Sequence, residues 1–343
     1  MQNQLYYSLS NDAIHNNFPI ECGFELTSRC TFQCKMCYVH TNNSEELIRQ
    51  ELSTEQWTDI FDQAYNAGML YAILTGGECL LRSDFKKLYL HLFNLGIRIT
   101  INTNASILSS DYVEFFKSYP PNKIQISLYG PSEDIYYDVT RTRSYQRVVD
   151  AIDLLLAAGI NVKIVFTICK YNYSSLEDLI LFAKNRHLPY SVVSDLIPSK
   201  ENPSQEYQLS FDEYVETKKL QAKYRNKAPK NSRDTTSVTT DKEFYIRCKA
   251  GRSCAFINWH GKMQLCASLP EIQEDVFENR YVNAWNAINH YARNVELPDK
   301  CSKCEYDYVC PKCPAVRSGG LLKTECNEFL CRVTEYCSQK QLL

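Results

Sequence analysis

Three cysteines fall within eight residues of the stretch "SRCTFQCKMCYVH", at Cys30, Cys34 and Cys37. Closely spaced thiolates select soft metals, either zinc or an iron–sulfur cluster. Structural zinc is held by four protein ligands in a closed shell. His40, three residues on, would complete a Cys3His zinc knuckle. A cubane iron–sulfur cluster held by three cysteines instead leaves one iron with an open coordination position. An open position is useful only where a ligand must bind.

The chain holds 16 cysteines, and they are grouped. Ten lie beyond residue 247, whereas the span 80–247 holds only Cys169. The partition implies two units, each with its own metal chemistry. The opening stretch "MQNQLYYSLSNDAIHNNF" has no basic region followed by an apolar core, so it does not read as a secretory signal. No apolar run approaches the ~20 residues that span a bilayer. A cytoplasmic, non-membrane protein is expected, in which many cysteines mean metal or redox chemistry rather than a disulfide scaffold. The formal net charge of −2 over 343 residues provides no basic field for nucleic acid.

The region between the cysteine groups must position the first of them. "GFELTS", "YAILTGG", "RITINTN", "KIQISLYG", "VKIVFTI" and "YSVVSDLI" are short β-rich runs separated by helical patterns. One helix opens with Ser53 and Gln56, spaced as a capping box, and carries Trp57, Ile60, Phe61 and Ala64 on one face. Helices stop at Gly68, Gly96 and Gly159, where glycine tolerates the left-handed conformation just past a helix end. Strands alternating with helices imply an α/β fold with parallel pairing, six strands curving into a partial barrel. Functional groups then belong at the C-terminal ends of the strands and in the loops that follow. The three-cysteine stretch directly follows the first strand.

Cys30-x3-Cys34-x2-Cys37 after a first strand resembles the signature loop of the radical S-adenosylmethionine (radical SAM) superfamily. The resemblance implies a partial (β/α)6 barrel and a [4Fe–4S] cluster whose open iron takes the amino and carboxylate groups of S-adenosylmethionine. "TGGE", with Gly76, Gly77 and Glu78, resembles the family's Gly-Gly-Glu motif. It implies glycines that let the backbone approach the ligand and a Glu78 that accepts hydrogen bonds from its ammonium group. Asn102, Asn104 and Ser127 match strand-end positions that bind the ribose and the methionine carboxylate, and Arg141 or Arg143 would pair with that carboxylate. Where relatives often carry an aspartate after a serine-leucine pair, this chain has Tyr129. Each of these residues also has a plainer reading as a turn or a solvated loop. Cys79, where relatives commonly have proline, is the candidate catalytic thiol, a hydrogen-atom donor, or else a buried inert cysteine like Cys22 and Cys169.

The C-terminal third, with Cys248-x5-Cys254, Gly261-x4-Cys266, Cys301-x2-Cys304-x5-Cys310-x2-Cys313 and then Cys331, resembles the SPASM extension of such enzymes. The resemblance implies two auxiliary [4Fe–4S] clusters. The first would take Cys248, Cys254, Cys266 and Cys313. The second would take Cys301, Cys304, Cys310 and Cys331, with Cys326 and Cys337 the other candidates for its last ligand. Two residues rather than three separate Cys310 from Cys313, a departure from the pattern. A zinc ribbon from Cys301, Cys304, Cys310 and Cys313 is the alternative, and it leaves Cys248, Cys254 and Cys266 without a role.

The expected organisation is an N-terminal extension at 1–20, the barrel at 21–197, a polar bridge at 198–245 with one helix from about Ser210, and a small Cys-rich auxiliary-cluster domain at 246–343. The extension is too short for a winged peptide-recognition domain, so leader recognition, if any, would use other surfaces or a separate protein. The resemblance implies a maturase that forms a 5′-deoxyadenosyl radical and oxidatively modifies a ribosomally made peptide by a thioether or carbon–carbon crosslink. It also implies an external one-electron donor such as flavodoxin or ferredoxin. The alternatives are a sulfatase-type formylglycine maturase, a peptide epimerase, a small-molecule oxidase and a non-catalytic iron–sulfur sensor.

Overall fold

The computed structural model describes residues 2–39, 43–196, 205–225, 248–295, 299–306, 309–310, 313, 315 and 328–342. The six expected strands are present as β1 (Glu21–Glu25), β2 (Tyr71–Thr75), β3 (Arg98–Thr103), β4 (Lys123–Ser127), β5 (Val162–Thr167) and β6 (Tyr190–Val193). All five neighbouring pairs are parallel, in sequence order. Helices cover one face: α3 (Thr54–Asn66), α4 (Phe85–Asn94), α5 (Ser110–Ser118), α7 (Tyr145–Ala157) and α8 (Leu176–Asn185). Between them lie the short helix α6 (Glu133–Thr140) and, before α3, α2 (Glu45–Gln50).

Local sequence accounts for these elements. Ser53 and Gln56 form the expected reciprocal capping box on α3, and Trp57, Ile60, Phe61 and Ala64 are its buried residues. Trp57 and Phe61 meet Phe24 of β1 edge-on, with ring centroids 6.1 and 4.8 Å away. In β5 burial alternates, with Val162, Ile164 and Phe166 buried. That period of two directs one face of each strand to the helices and the other into the barrel.

One helix and three strands were not anticipated. Helix α1 (Gln2–Asn16) precedes β1. Three further strands, β7 (Cys254–Ile257), β8 (Lys262–Gln264) and β9 (Gln273–Asp275), extend the sheet beyond β1. Strand β7 pairs parallel with β1, and β7, β8 and β9 then run antiparallel, so one nine-stranded sheet passes through both expected units. Gly23 allows this junction, because a Cβ there would lie 2.8 Å from the Phe256 ring. Helix α10 (Val276–Arg293) follows β9 and closes on α1: Trp285 Nε1 donates to Asn17 O at 3.1 Å, and Arg293 to Ile14 O at 2.9 Å. The polar bridge contains α9 (Phe211–Tyr224), opened by a capping box of Ser210 and Glu213. Most of the bridge lies outside the described residues.

A buried ionic network ties the exit of β1 to the helical layer. Arg29 forms a bidentate pair with Glu51, at 2.9 and 3.0 Å, and Thr27 donates to the same carboxylate. Arg82, 6% exposed, donates to Leu26 O and Leu52 O, both at 3.0 Å, pairs with Asp84 at 2.7 Å and approaches Glu51 at 3.6 Å. Removing one member of such a network leaves buried charge uncompensated, which costs about 3–5 kcal/mol. Arg82→Met is therefore expected to lower stability by about that amount. A lowered thermal midpoint of anaerobically prepared protein would show it, and an unchanged midpoint would show that water replaces the guanidinium without loss.

Candidate active site

The C-terminal ends of β1 to β6 surround a cavity of about 520 Å3. Cys30, Cys34 and Cys37 line it together with Gly76, Gly77, Asn102, Asn104 and Ser127. These eight residues come from four βα connections, so only the parallel sheet brings them together. The cysteine loop is docked on the end of α6, where Gln33 N donates to Thr140 O at 3.0 Å and Lys35 N to Val139 O at 3.1 Å. Lys35 Nζ lies 3.3 Å from the centroid of the Tyr171 ring. The loop is thus anchored on both sides of Cys34.

The three thiols are close enough to influence one another. Burial pushes the Cys30 thiol up to about 11, with nearby Glu78 and Cys37 adding to the rise. Cys34 is pushed well above the ordinary thiol range by burial first, then by Cys37 and Cys30. Cys30 Sγ also accepts from Phe32 N at 3.4 Å and from Asn104 Nδ2 at 3.5 Å. A metal deprotonates a coordinating thiol outright, so this is a set whose ionisation awaits one. Among the described residues no three His, Cys, Asp or Glu side chains converge on a point that holds a single ion. A cluster makes a different demand. It presents separate irons to separate thiolates, so three thiols along one cavity wall fit it. His40 lies outside the described residues.

The two glycines line the cavity and also pack against the loop that follows β1. Gly77 N donates to Thr27 O at 2.8 Å, and a Cβ on Gly77 would lie 2.2 Å from Arg29 O. A Cβ on Gly76, at φ +150°, would lie 2.5 Å from Thr27 O. The close approach that requires glycine is thus between two protein loops.

Glu78 does not line the cavity. Its carboxylate is fully buried and accepts from Leu80 N at 3.1 Å, Thr103 Oγ1 at 2.8 Å and Asn104 N at 2.7 Å. Burial raises its carboxyl to about 7 against the pull of those donors. In this arrangement the carboxylate holds the turn after β3. Asn104, so held, reaches Thr31 Oγ1 at 3.0 Å as well as Cys30. Cys79 is also outside the cavity: it is 0% exposed, and its thiol faces Asn102 O at 3.5 Å. A core position explains it. Arg141 takes the left-handed C-cap of α6 at φ 60°, and Arg143 pairs with Asp134 at 3.2 Å and covers the Tyr137 ring. Neither arginine lines the cavity. The surface loop uses both locally.

Several lining residues were not singled out from the sequence. Gln125 donates to Asn102 Oδ1 at 2.7 Å. Thr167, Ser191 and Asp195 carry the cavity to the far strands. Their signal was alternation: Gln125 shares a face with Ser127, and Ser191 with Val193 and Asp195, at steps of two. Register across the sheet sets Asn102 beside Gln125 and Thr167 beside Val193.

The C-terminal cysteines separate into described groups. Burial, then neighbouring Cys313 and Cys266, push the Cys248 thiol up to about 11. Burial first, then Glu21 and Cys22, push the Cys254 thiol well above the ordinary range. Cys304 N donates to Cys301 O at 3.4 Å. Cys331 lies on the C-terminal helix Glu328–Gln339, as does Cys337, which is fully buried in the core. Cys326 lies outside the described residues. Cys22 and Cys169 are core residues at 0% exposure.

An amide at position 78 would turn a donor toward backbone N–H groups that the carboxylate now satisfies. Glu78→Gln is expected to cost about 1–3 kcal/mol of stability, the penalty of a buried group left unsatisfied. Denaturation midpoints of the two proteins, measured without added ligand, would test this, and equal midpoints would show that the carboxylate's bonds are not needed to hold the turn.

Residues 24–183 match the family model of the radical SAM superfamily. The AdoMet-dependent heme synthase of Methanosarcina barkeri is 24% identical over 323 residues, covering 87% of this chain and 92% of that protein. The antilisterial bacteriocin subtilosin biosynthesis protein AlbA of Bacillus subtilis is 22% identical over 312 residues, covering 86% of this chain and 65% of that protein. SuiB of Streptococcus suis, in its structure bound to S-adenosylmethionine, aligns with a TM-score of 0.70 at 18% identity, covering 90% of this chain and 76% of that one. SuiB has also been solved bound to its precursor peptide SuiA. At that identity the likeness to SuiB shows the fold. Among the described residues no helix is long and apolar enough to cross a membrane. The matched domain, residues 24–183, is built around the three-cysteine loop, so the chain contains a radical SAM domain, followed by a cysteine-rich C-terminal third.

Proposed function

We propose that the protein is a cytoplasmic maturase that oxidatively modifies a ribosomally made peptide, forming a thioether or carbon–carbon crosslink. The observation that carries this reading is the single cavity that runs from the three thiols at β1 to Ser191 and Asp195 at β6. A cavity that runs across the sheet in this way suits an extended peptide. Relatives named as peptide-maturation or bacteriocin-biosynthesis proteins, and a similarly folded enzyme crystallised with its precursor peptide, support the same substrate class.

The heme synthase relatives raise a second reading, a tetrapyrrole substrate. Haem and its precursors carry carboxylates, which are met by arginine or lysine when bound. Among the described residues lining the cavity there is no lysine, arginine or histidine. That composition favours the peptide.

Cys30, Cys34 and Cys37 would hold a [4Fe–4S] cluster that, with S-adenosylmethionine, supplies a 5′-deoxyadenosyl radical able to take a hydrogen atom from an unactivated C–H bond. Cys248, Cys254, Cys266 and Cys313, and Cys301, Cys304, Cys310 and Cys331, would hold two further clusters as acceptors for the electron that a crosslink must also shed. The chain's own groups bind and orient. Asn102, paired with Gln125, and Ser127 offer donors and acceptors to the ribose and carboxylate of the cofactor. Asn104 fixes Cys30 through its side-chain amide. Phe32, Val165 and Val193 supply apolar wall that excludes water when substrate closes the site. An external flavodoxin or ferredoxin would deliver the electron that starts each turnover.

Anaerobically prepared protein is expected to hold about twelve irons, from three cubanes. Changing Cys30, Cys34 and Cys37 together to alanine should remove about four of them and all cleavage of S-adenosylmethionine. Zinc at one or two equivalents with little iron would overturn the reading. Cys331→Ala should leave cleavage of S-adenosylmethionine largely intact while product formation falls steeply, because a crosslink needs an electron acceptor. Mass spectrometry of the matured peptide should show the loss of two hydrogens; an unchanged mass with one solvent deuterium would instead indicate an epimerase.

A further inference from the structure

We infer that Asp195 selects the charge of the substrate, receiving a lysine or arginine side chain of the peptide next to the residue that reacts. The inference rests on the peptide reading above and adds to it a sequence preference. Asp195 is the only Asp, Glu, Lys, Arg or His among the described residues that line the cavity, and it lies just past the end of β6. Two steps along the strand direction from Val193, it projects from the same face as Ser191, which lines the same cavity.

The carboxylate is held in place but not neutralised. Its Oδ1 accepts from the Tyr214 hydroxyl at 2.5 Å. Tyr214 is 5% exposed, and its ring meets Phe329 of the C-terminal helix edge-on at 5.8 Å. Lys218 lies over the Tyr214 ring, 4.8 Å from its centroid. Among the described residues Asp195 has no cationic partner. The phenol therefore orients one oxygen and leaves the other for a ligand.

Desolvation explains why the partner must be a cation. Asp195 is exposed at the mouth of the cavity, so water solvates its charge while the site is open. A peptide that fills the cavity removes that water and sets the carboxylate among Val193, Leu196 and Ser191. A carboxylate that loses water without gaining a cation or several donors is strongly destabilised. One hydroxyl donor is already in use. An ammonium or guanidinium from the substrate restores the balance, whereas a substrate carboxylate at this position would be repelled. Asp195 acts on binding and register alone, with no part in hydrogen abstraction. Tyr214 acts through Asp195 and is a positioning residue.

The test uses the full chain, reconstituted anaerobically, loaded with S-adenosylmethionine and immobilised. It is offered a random-sequence peptide library, and the retained peptides are sequenced by mass spectrometry. The wild type is expected to enrich peptides with lysine or arginine, by about tenfold, the worth of one good charge-assisted contact. Asp195→Asn should retain peptides without that bias, and Asp195→Lys should enrich aspartate and glutamate instead. Tyr214→Phe should keep the sign of the preference and reduce its size. Binding of S-adenosylmethionine should be the same in all four proteins, which guards against a variant that has not folded. If Asp195→Asn, binding S-adenosylmethionine normally, keeps the full basic bias, Asp195 is not the selector, and the peptide reading survives. If the wild type binds S-adenosylmethionine but retains no peptide above a bare-matrix control, the peptide reading fails and the inference falls with it.

Discussion

The loops that leave β1 and β2 continue the sheet's contact past its last ladder bond, at a distance only glycine permits. Gly77 N donates to Thr27 O at 2.8 Å and Glu78 N to Arg29 O at 2.7 Å. A Cβ at position 77 would meet Arg29 O at 2.2 Å, well inside contact distance. This seam sets the direction in which the chain enters the cysteine loop. It also turns Glu78 inward, where its carboxylate can hold Thr103 and Asn104, and Asn104 in turn reaches Cys30. One backbone contact thus connects the second βα unit, the third strand and the first thiol.

Charge is distributed to suit that arrangement. Outside the barrel wall, Arg29, Glu51, Arg82 and Asp84 pair with one another and with backbone carbonyls, so the segment before Cys30 is held by buried ion pairs. Inside, the described lining carries no charged side chain apart from Asp195. A buried carboxylate is tolerated when donors surround it. Glu78 has three donor groups, and burial still raises it to about 7. Glu25, at the end of β1, has a backbone donor from Trp259 and rises to about 8. Both acids sit beside the cavity and behind its surface. The interior is left to groups that bind without bringing their own counter-charge.

The described start of the C-terminal third joins the barrel through the sheet. Strand β7 takes the edge of β1, so the hairpin that begins at Cys254 extends the sheet that presents Cys30. At the opposite edge, the C-terminal helix supports Tyr214 through Phe329, and Tyr214 holds Asp195. Both ends of the cavity thus depend on residues far away in sequence. The bridge helix α9 is more than a solvated connection, because its buried face supplies Tyr214.

Short-range patterns were sufficient for the strands and helices of the barrel and for the position of the thiol loop. The spacing of Ser53, Gln56, Trp57, Ile60, Phe61 and Ala64 specifies a capped amphipathic helix, because capping and the 3.6 period act within a few residues. Six strands with intervening helices specify parallel pairing, and the spacing of Cys30, Cys34 and Cys37 after the first strand places three thiols on one loop at the strand's C-terminal end. The directions of individual side chains could not be read in the same way. Glu78 and Cys79 belong to the motif that follows β2, yet both turn into the core, because the glycine seam and the donors of Thr103 and Asn104 decide where that turn points. Arg141 and Arg143 have the right chemistry for a carboxylate, and the end of α6 places them outside the cavity. Asp195 has no motif at all. It becomes a cavity residue only because β6 pairs with β5 in one register and Tyr214, from a helix beyond the barrel, donates to it. Sequence determined which segments fold and which thiols sit together, since those depend on neighbours along the chain; tertiary structure decided which polar groups face the cavity, since that depends on contacts between residues far apart in it.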